Sequence, residues 1–223
     1  MLICLKEIAG RKASAPPLPQ VAALYERLEL DRQHPHHLIT LAARPEMGKT
    51  TVALALAAEA AKRGEAVAIF SLELLAEQVA SRLQNLHDPA AEQNLFVDDG
   101  GWEITVDDLQ KSLEQCKKVG LIVVDYAELL RSNGNYASRL EENTHVVREL
   151  ALLTRRLKTP VLVLSRLPRG DAPPTLEDVR FSGALEQDSD IVLLLHENKI
   201  KFAKNRYGDC GIFNLKGCKH GSV

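Results

Sequence analysis

Ala43-Arg44-Pro45-Glu46-Met47-Gly48-Lys49-Thr50 follows the apolar run Leu38 to Ala43 and opens the alanine-rich segment Lys49 to Lys62. A buried strand, a tight turn and a helix, in that order, form the setting a phosphate-binding loop needs. The turn and the first N–H groups of the helix converge on one point, at the positive end of the helix dipole. Gly48 lets the backbone come close, Lys49 reaches phosphate oxygens, and the Thr50 hydroxyl can coordinate Mg²⁺. The candidate loop therefore comprises Ala43, Arg44, Pro45, Glu46, Met47, Gly48, Lys49, Thr50 and Thr51. Ala43 stands where the general G-x-x-x-x-G-K-[ST] pattern has glycine. The competing reading is a strand-to-helix turn with an incidental Gly-Lys-Thr.

Working outward, strands and helices alternate. Gly64 suits the left-handed residue that ends the helix over 49–62. Ala66 to Phe70 reads as a strand, Leu75 to Leu86 as a helix, and Thr105 to Lys118 as a helix with Thr105 and Asp108 in a capping box. Leu121 to Val124, Val161 to Leu164 and Ile191 to Leu195 are further short apolar strands, with a helix over Leu140 to Leu157. Unbroken apolar strands separated by helices indicate an α/β fold, a mostly parallel sheet flanked by helices on both faces. Lys199 to Lys204 and Gly211 to Lys216, around Gly208, read as an antiparallel hairpin on the sheet edge. The Pro-rich stretch Ala13 to Pro19 reads as a linker, and Val21 to Leu30 as a short amphipathic helix. The core is expected to begin after that linker. Residues 1–34 are thus expected to be an N-terminal extension with a short helix, and 35–223 the domain that carries the phosphate loop.

A nucleoside triphosphate arrives with Mg²⁺, so a carboxylate is required at the end of a strand beside the loop. Asp125, closing Leu121-Ile122-Val123-Val124, meets that need, and Thr50 and Asp125 are the candidate metal residues. Glu73, just past the strand 66–70, is placed to polarise an attacking water. Its other reading is a residue at a helix start.

The 223 residues suffice for one α/β domain, and 45% hydrophobic with 26% charged side chains is a soluble globular composition. No apolar run approaches the ~20 residues that cross a bilayer, and no secretory pattern opens the chain, so the expected compartment is the cytoplasm. A net charge of −2, from 28 basic and 30 acidic residues, provides no polycationic field. The 4 cysteines form no C-x-x-C pair, which argues against a zinc ribbon. Cys210, Cys218 and His220 read as unpaired residues more readily than as metal ligands.

Beyond the loop, Phe70-Ser71-Leu72-Glu73, Val124-Asp125-Tyr126, Pro174 to Arg180, Ser182 to Asp190 and Ala203-Lys204-Asn205-Arg206-Tyr207-Gly208 occur in order. With Ala42 to Thr50 they resemble the C-terminal motor domain of DnaB-type replicative helicases, hexameric enzymes of the RecA-like class. In that family alanine at the first loop position is usual. The resemblance spans about residues 38 to 216. It implies ATP and Mg²⁺ as cofactors, Lys49 and Thr50 on phosphate and metal, and Asp125 on metal. Glu73 is then the catalytic base, and Arg206, helped by Lys204, is a finger acting on the neighbouring subunit. The alternative for Lys204 and Arg206 is a solvated hairpin edge.

This sequence departs from the family in several places. Arg166 follows Ser165 where the family carries a glutamine that senses the γ-phosphate. The loop from Arg166 to Arg180, which in the family touches DNA, is short and offers only Arg166, Arg169 and Arg180, with Arg169 the best contact candidate. Few phosphate contacts imply weak DNA binding per subunit. The family's N-terminal helical domain has no counterpart in this sequence, so primase recruitment is not expected. The resulting expectation is a homohexameric, ATP-hydrolysing motor on single-stranded DNA. The alternatives are a nucleotide-binding regulatory or loader subunit without helicase activity, and a RecA-like recombination or repair ATPase.

Overall fold

The apolar runs become strands. A computed structural model describes residues 1–8, 20–28, 37–84, 89–100, 103–116, 118–179 and 183–215. In chain order these comprise β1 (Ile3–Cys4), α1 (Leu5–Ile8), α2 (Val21–Arg27), β2 (Leu38–Ala43), α3 (Lys49–Lys62), β3 (Val67–Ser71) and α4 (Ala76–Gln84). Then follow β4 (Leu95–Asp98), α5 (Val106–Leu113), β5 (Leu121–Asp125), α6 (Arg139–Leu157), β6 (Val161–Arg166), α7 (Gly183–Asp188), β7 (Ile191–His196), β8 (Lys199–Asn205) and β9 (Gly211–Asn214).

All these strands join one 9-stranded sheet in the order β1-β4-β3-β5-β6-β2-β7-β8-β9. From β4 to β7 neighbours run parallel. The margins are antiparallel, β1 on β4 at one side and the β7-β8-β9 meander at the other. Side chains alternate across the pleat, so Ile39 and Leu41 pack with Leu54, Leu56, Val79 and Leu83 of α3 and α4. Leu38 and Ala42 pack instead with Leu109 of α5 and Val146, Leu150 and Leu153 of α6. Burial on both faces is why these strands carry no polar alternation.

Local signals set the helix ends. Thr105 accepts from the Asp108 N–H at 3.2 Å while Asp108 accepts from the Thr105 N–H at 3.1 Å, the expected capping box. Gly64 takes φ 86° after α3, and Lys158 takes φ 50° after α6.

The structure differs from expectation in three respects. The core does not begin after the Pro-rich stretch: Ile3 and Cys4 extend the sheet, and the fully buried Leu5 joins the α3 side of the core. α5 ends at Leu113, because the chain must turn there to enter β5, where the Gly120 N–H bonds the Ala66 carbonyl at 2.8 Å. β4, which sequence reasoning passed over, lies inside the sheet. Residues 13–19, Leu30, Asn85, Leu86, Arg180, Lys216, Cys218 and His220 lie outside the described residues. Among the described residues no helix is long and apolar enough to cross a membrane.

Candidate functional site

In a parallel sheet every strand delivers its carboxyl end to the same edge, and ligands settle where neighbouring strands diverge there. β6 lies between β5 and β2, and its last residue, Arg166, is in register with Ala43. Asp125 is in register with Ser71 at the end of β3. The ends of β2, β3, β5 and β6 thus gather Lys49, Thr50, Glu73, Asp125 and Arg166 around one point.

The turn between β2 and α3 brings Gly48 to φ 82°, a left-handed conformation that side chains resist, although a Cβ there would meet nothing within 4 Å. Gly48 is the N-cap of α3 and has no side chain to satisfy the first N–H groups, and no acidic residue lies in the first turn. Those groups remain for an anion. Lys49 Nζ is buried with no hydrogen-bond partner among the described residues. Burial holds its pKa below the usual lysine value, against the pull of Asp125 and Glu128. The Thr50 hydroxyl donates to Asp125 Oδ2 at 2.7 Å, and Asp125 Oδ1 is buried without a partner among the described residues. Burial raises the Asp125 pKa despite the Thr50 bond and Lys49. An unpartnered ammonium beside a half-satisfied hydroxyl–carboxylate pair fits a phosphate with a hard divalent cation.

Glu73 lies beyond β3 and pairs with the Arg166 guanidinium. That guanidinium also sits 4.3 Å from the Tyr126 ring centroid, while Lys49 Nζ lies 5.1 Å from the same centroid. Arg166 therefore faces the phosphate site, not outward beside the exposed Arg169 as expected for a DNA contact.

Sequence reading missed Glu128. On a 3-10 turn after β5, its Oε1 accepts the Ser165 hydroxyl at 2.6 Å and the Arg166 N–H at 3.0 Å. Burial raises its pKa, and Oε2 has no partner among the described residues. The only signal was a carboxylate one turn past Asp125, in a stretch that otherwise looked like a loop.

Arg44 also departs from expectation. Its side chain leaves the phosphate loop and donates to the carbonyls of Pro168 at 2.5 Å and Ala172 at 3.0 Å. A Cβ on Gly170 would stand 2.6 Å from the Arg44 guanidinium, so the loop carrying Arg169 lies directly against it. Pro45 and Glu46 form the exposed tip, with Met47 and Thr51 at its sides.

Lys204 and Arg206 are not gathered with the others. Arg206 donates to Asp190 Oδ1 at 3.0 Å and to the Gln187 carbonyl at 2.9 Å, and Lys204 to the Glu186 and Gln187 carbonyls at 2.6 and 3.0 Å. Asp190 also accepts from the Leu38 N–H at 2.9 Å, so the pair sits at the start of β2, the opposite end from the phosphate loop. The 6 residues of β2 separate them from the chain's own Lys49.

A strand–loop–helix phosphate cradle beside a strand-end carboxylate, on a parallel sheet covered on both faces, defines a P-loop NTPase of the RecA-like class. Within that class the chain belongs to the DnaB-like helicase C terminal domain family, whose model matches residues 29–88 and 80–217. It is 32% identical over 259 aligned positions to the replicative DNA helicase DnaC of Bacillus subtilis (strain 168), covering 95% of this chain and 57% of that protein. To the replicative DNA helicase DnaB of Geobacillus stearothermophilus it is 34% identical, covering 94% of this chain and 55% of that protein. The chain thus spans about half the length of these relatives. Among solved structures, one described as an ATPase domain superposes with a TM-score of 0.73 at 24% identity, covering 96% of this chain and 93% of that one. A DnaB-like replicative helicase, described with its interactions with primase, superposes with a TM-score of 0.70 at 23% identity, covering 93% of this chain and 62% of that one. The expectation that primase is not a partner rested on a missing N-terminal domain. It is not retained, because the chain aligns to only part of its relatives and one of the similar structures is described with primase.

Proposed function

We propose that the chain is the motor of an ATP-driven helicase, with residues 35–223 as the ATPase domain and 1–34 as an extension whose β1 and Leu5 complete its sheet and core. One observation carries the reading: the buried, unpartnered Lys49 Nζ beside the Thr50–Asp125 pair at the mouth of α3. The N–H groups at the start of α3, with Lys49, bind and orient the triphosphate. Thr50 and Asp125 would hold Mg²⁺, which when bound neutralises charge on the phosphate oxygens. Glu73 orients the attacking water and takes its proton. Arg206, with Lys204, supplies cationic stabilisation across an interface between copies of this chain, for which a homohexamer is the natural assembly. Arg169 is the leading contact to single-stranded DNA phosphates, and Arg180 the second. The named relatives are replicative helicases, and the regulatory-subunit and recombinase readings have no comparable support.

The test is ATP turnover with and without single-stranded DNA, read beside native mass. The wild type should hydrolyse ATP faster with DNA, and Lys49→Ala should lose turnover while keeping its circular dichroism. A folded Lys49→Ala protein that turns over ATP like the wild type would remove the phosphate-site assignment.

A further inference from the structure

Glu128 bears a charge that its surroundings only half satisfy. One carboxylate oxygen, Oε1, accepts both the Ser165 hydroxyl and the Arg166 N–H at the end of β6. The other, Oε2, is buried with no hydrogen-bond partner among the described residues. When ionised, such an oxygen depends on opposite charge nearby, having no bond of its own. That charge comes from Lys49 of α3, whose buried ammonium likewise lacks a partner among the described residues. The other charged groups around it are committed elsewhere. Arg166 pairs with Glu73 beyond β3, and Arg139 of α6 donates to the Glu128 carbonyl while pairing with Glu142. Tyr126, at the end of β5, adds no charge, since burial raises its pKa and holds the phenol proton.

A triphosphate at the start of α3 changes this balance. Its oxygens engage the Lys49 ammonium, and its own negative charge enters the same poorly solvated space. Asp125 has Thr50 and an incoming Mg²⁺ to meet, whereas no bond among the described residues joins Glu128 to Thr50 or Asp125. Of the carboxylates at the site, Glu128 is the one left facing added negative charge with no counterion. We propose that Glu128 is a proton-binding residue of the nucleotide site: when Mg-ATP occupies the loop, Oε2 takes a proton from solvent and Glu128 becomes a neutral acid. The new O–H bond forms on the oxygen that has no partner, so Oε1 keeps its bonds from Ser165 and Arg166. The inference rests on the phosphate-site reading above. By linkage, proton and nucleotide assist each other's binding, and Mg-ATP binds more tightly as pH falls. The window lies above pH 4.5, because burial already holds the pKa of the empty site above that ordinary value and bound nucleotide raises it further.

The experiment is calorimetric titration of the full chain with Mg²⁺ and a non-hydrolysable ATP analogue, in buffers of equal pH and different ionisation enthalpy. Heat that varies with the buffer reports the protons exchanged. The wild type should take up protons, to a limit of about one per site, and its Kd should fall by up to about tenfold for each pH unit lowered within the window. Glu128→Gln keeps the acceptor oxygen and imitates the neutral acid. It should bind the analogue at least as tightly as the wild type, take up fewer protons and show a flatter pH dependence. Titration of the nucleotide and of Asp125 is common to both proteins, so the difference between them belongs to Glu128. If the variant does not fold, infrared difference spectra of the wild type serve, in which the stretch of a protonated carboxyl should appear on adding the analogue. Proton uptake undiminished in Glu128→Gln places the proton elsewhere, with Lys49 first in line, and overturns the proposal; so does nucleotide binding with no uptake or no carboxyl band. A wild type that does not bind the analogue overturns the phosphate-site reading, and this inference with it.

Discussion

Asp125 carries its charge where the fold disfavours it. Burial raises its pKa above the ordinary 3.8 even with Thr50 and Lys49 beside it. The folded state therefore holds this proton at pH values where the unfolded chain has lost it. The group's contribution to stability is greatest below pH 3.8 and falls as pH rises through the folded pKa. Asp125→Asn should accordingly melt higher than wild type at neutral pH without nucleotide, and the gap should close as pH is lowered. Thermal melts across pH check this, and a gap that does not change with pH would show that the charge is not its source. Lys49, Thr50 and Asp125 were legible because the chemistry of phosphate and metal dictates residue type and strand-end position. Glu128 was not, since its role comes from β6 lying beside β5. The Arg166–Glu73 pair and the turn of Arg44 toward Pro168 were hidden for the same reason: each joins segments that only the sheet order brings together.

At the level of elements, α6 ends on a residue that takes no part in the core but bears strain. Lys158 is exposed and takes φ 50°, the conformation that Gly64 provides after α3 without a Cβ. Lys158→Gly should stabilise the fold by ~0.5–1 kcal/mol, relief of the left-handed clash outweighing the added chain entropy. In calorimetry that corresponds to a melting temperature higher by ~1–4 °C; a lower one would mean that the lysine stem contributes packing that its exposure conceals. The apolar runs of β2, β3, β5, β6 and β7 announced themselves because burial on both faces leaves no polar alternation. β1 and β4 did not. Ile3–Cys4 is a strand only because β4 offers it an edge, and Leu95–Asp98 is too short to stand out from its surroundings. The sequence pattern of a helix also ran past Leu113, where the demand for a turn into β5 overrides it.

For the molecule as a whole, the decisive placement is that of Arg206 at the far end of β2 from Lys49, bound to Asp190 of its own chain. If it serves catalysis it serves another copy. Inactive Lys49→Ala and Arg206→Ala proteins, mixed under conditions that allow subunit exchange, should regain turnover, since an arginine finger contributes ~10³ or more in rate and even a minority of repaired interfaces stands above background. Mixed oligomers in native mass spectra with no recovered activity would refute the action of Arg206 on a neighbouring copy, provided that titrating Arg206→Ala into wild type lowers turnover in proportion to its share. The Arg44 guanidinium, meanwhile, clasps both sides of the loop around Arg169, through Pro168 and Ala172, while the Leu167 N–H holds the Ala43 carbonyl at 2.9 Å. Tension applied to that loop therefore has two tracks out, along β6 and across to the strand that feeds the phosphate cradle. If that loop holds a nucleic-acid strand, as proposed, a pull on it would reach the phosphate cradle as mechanical load through these bonds.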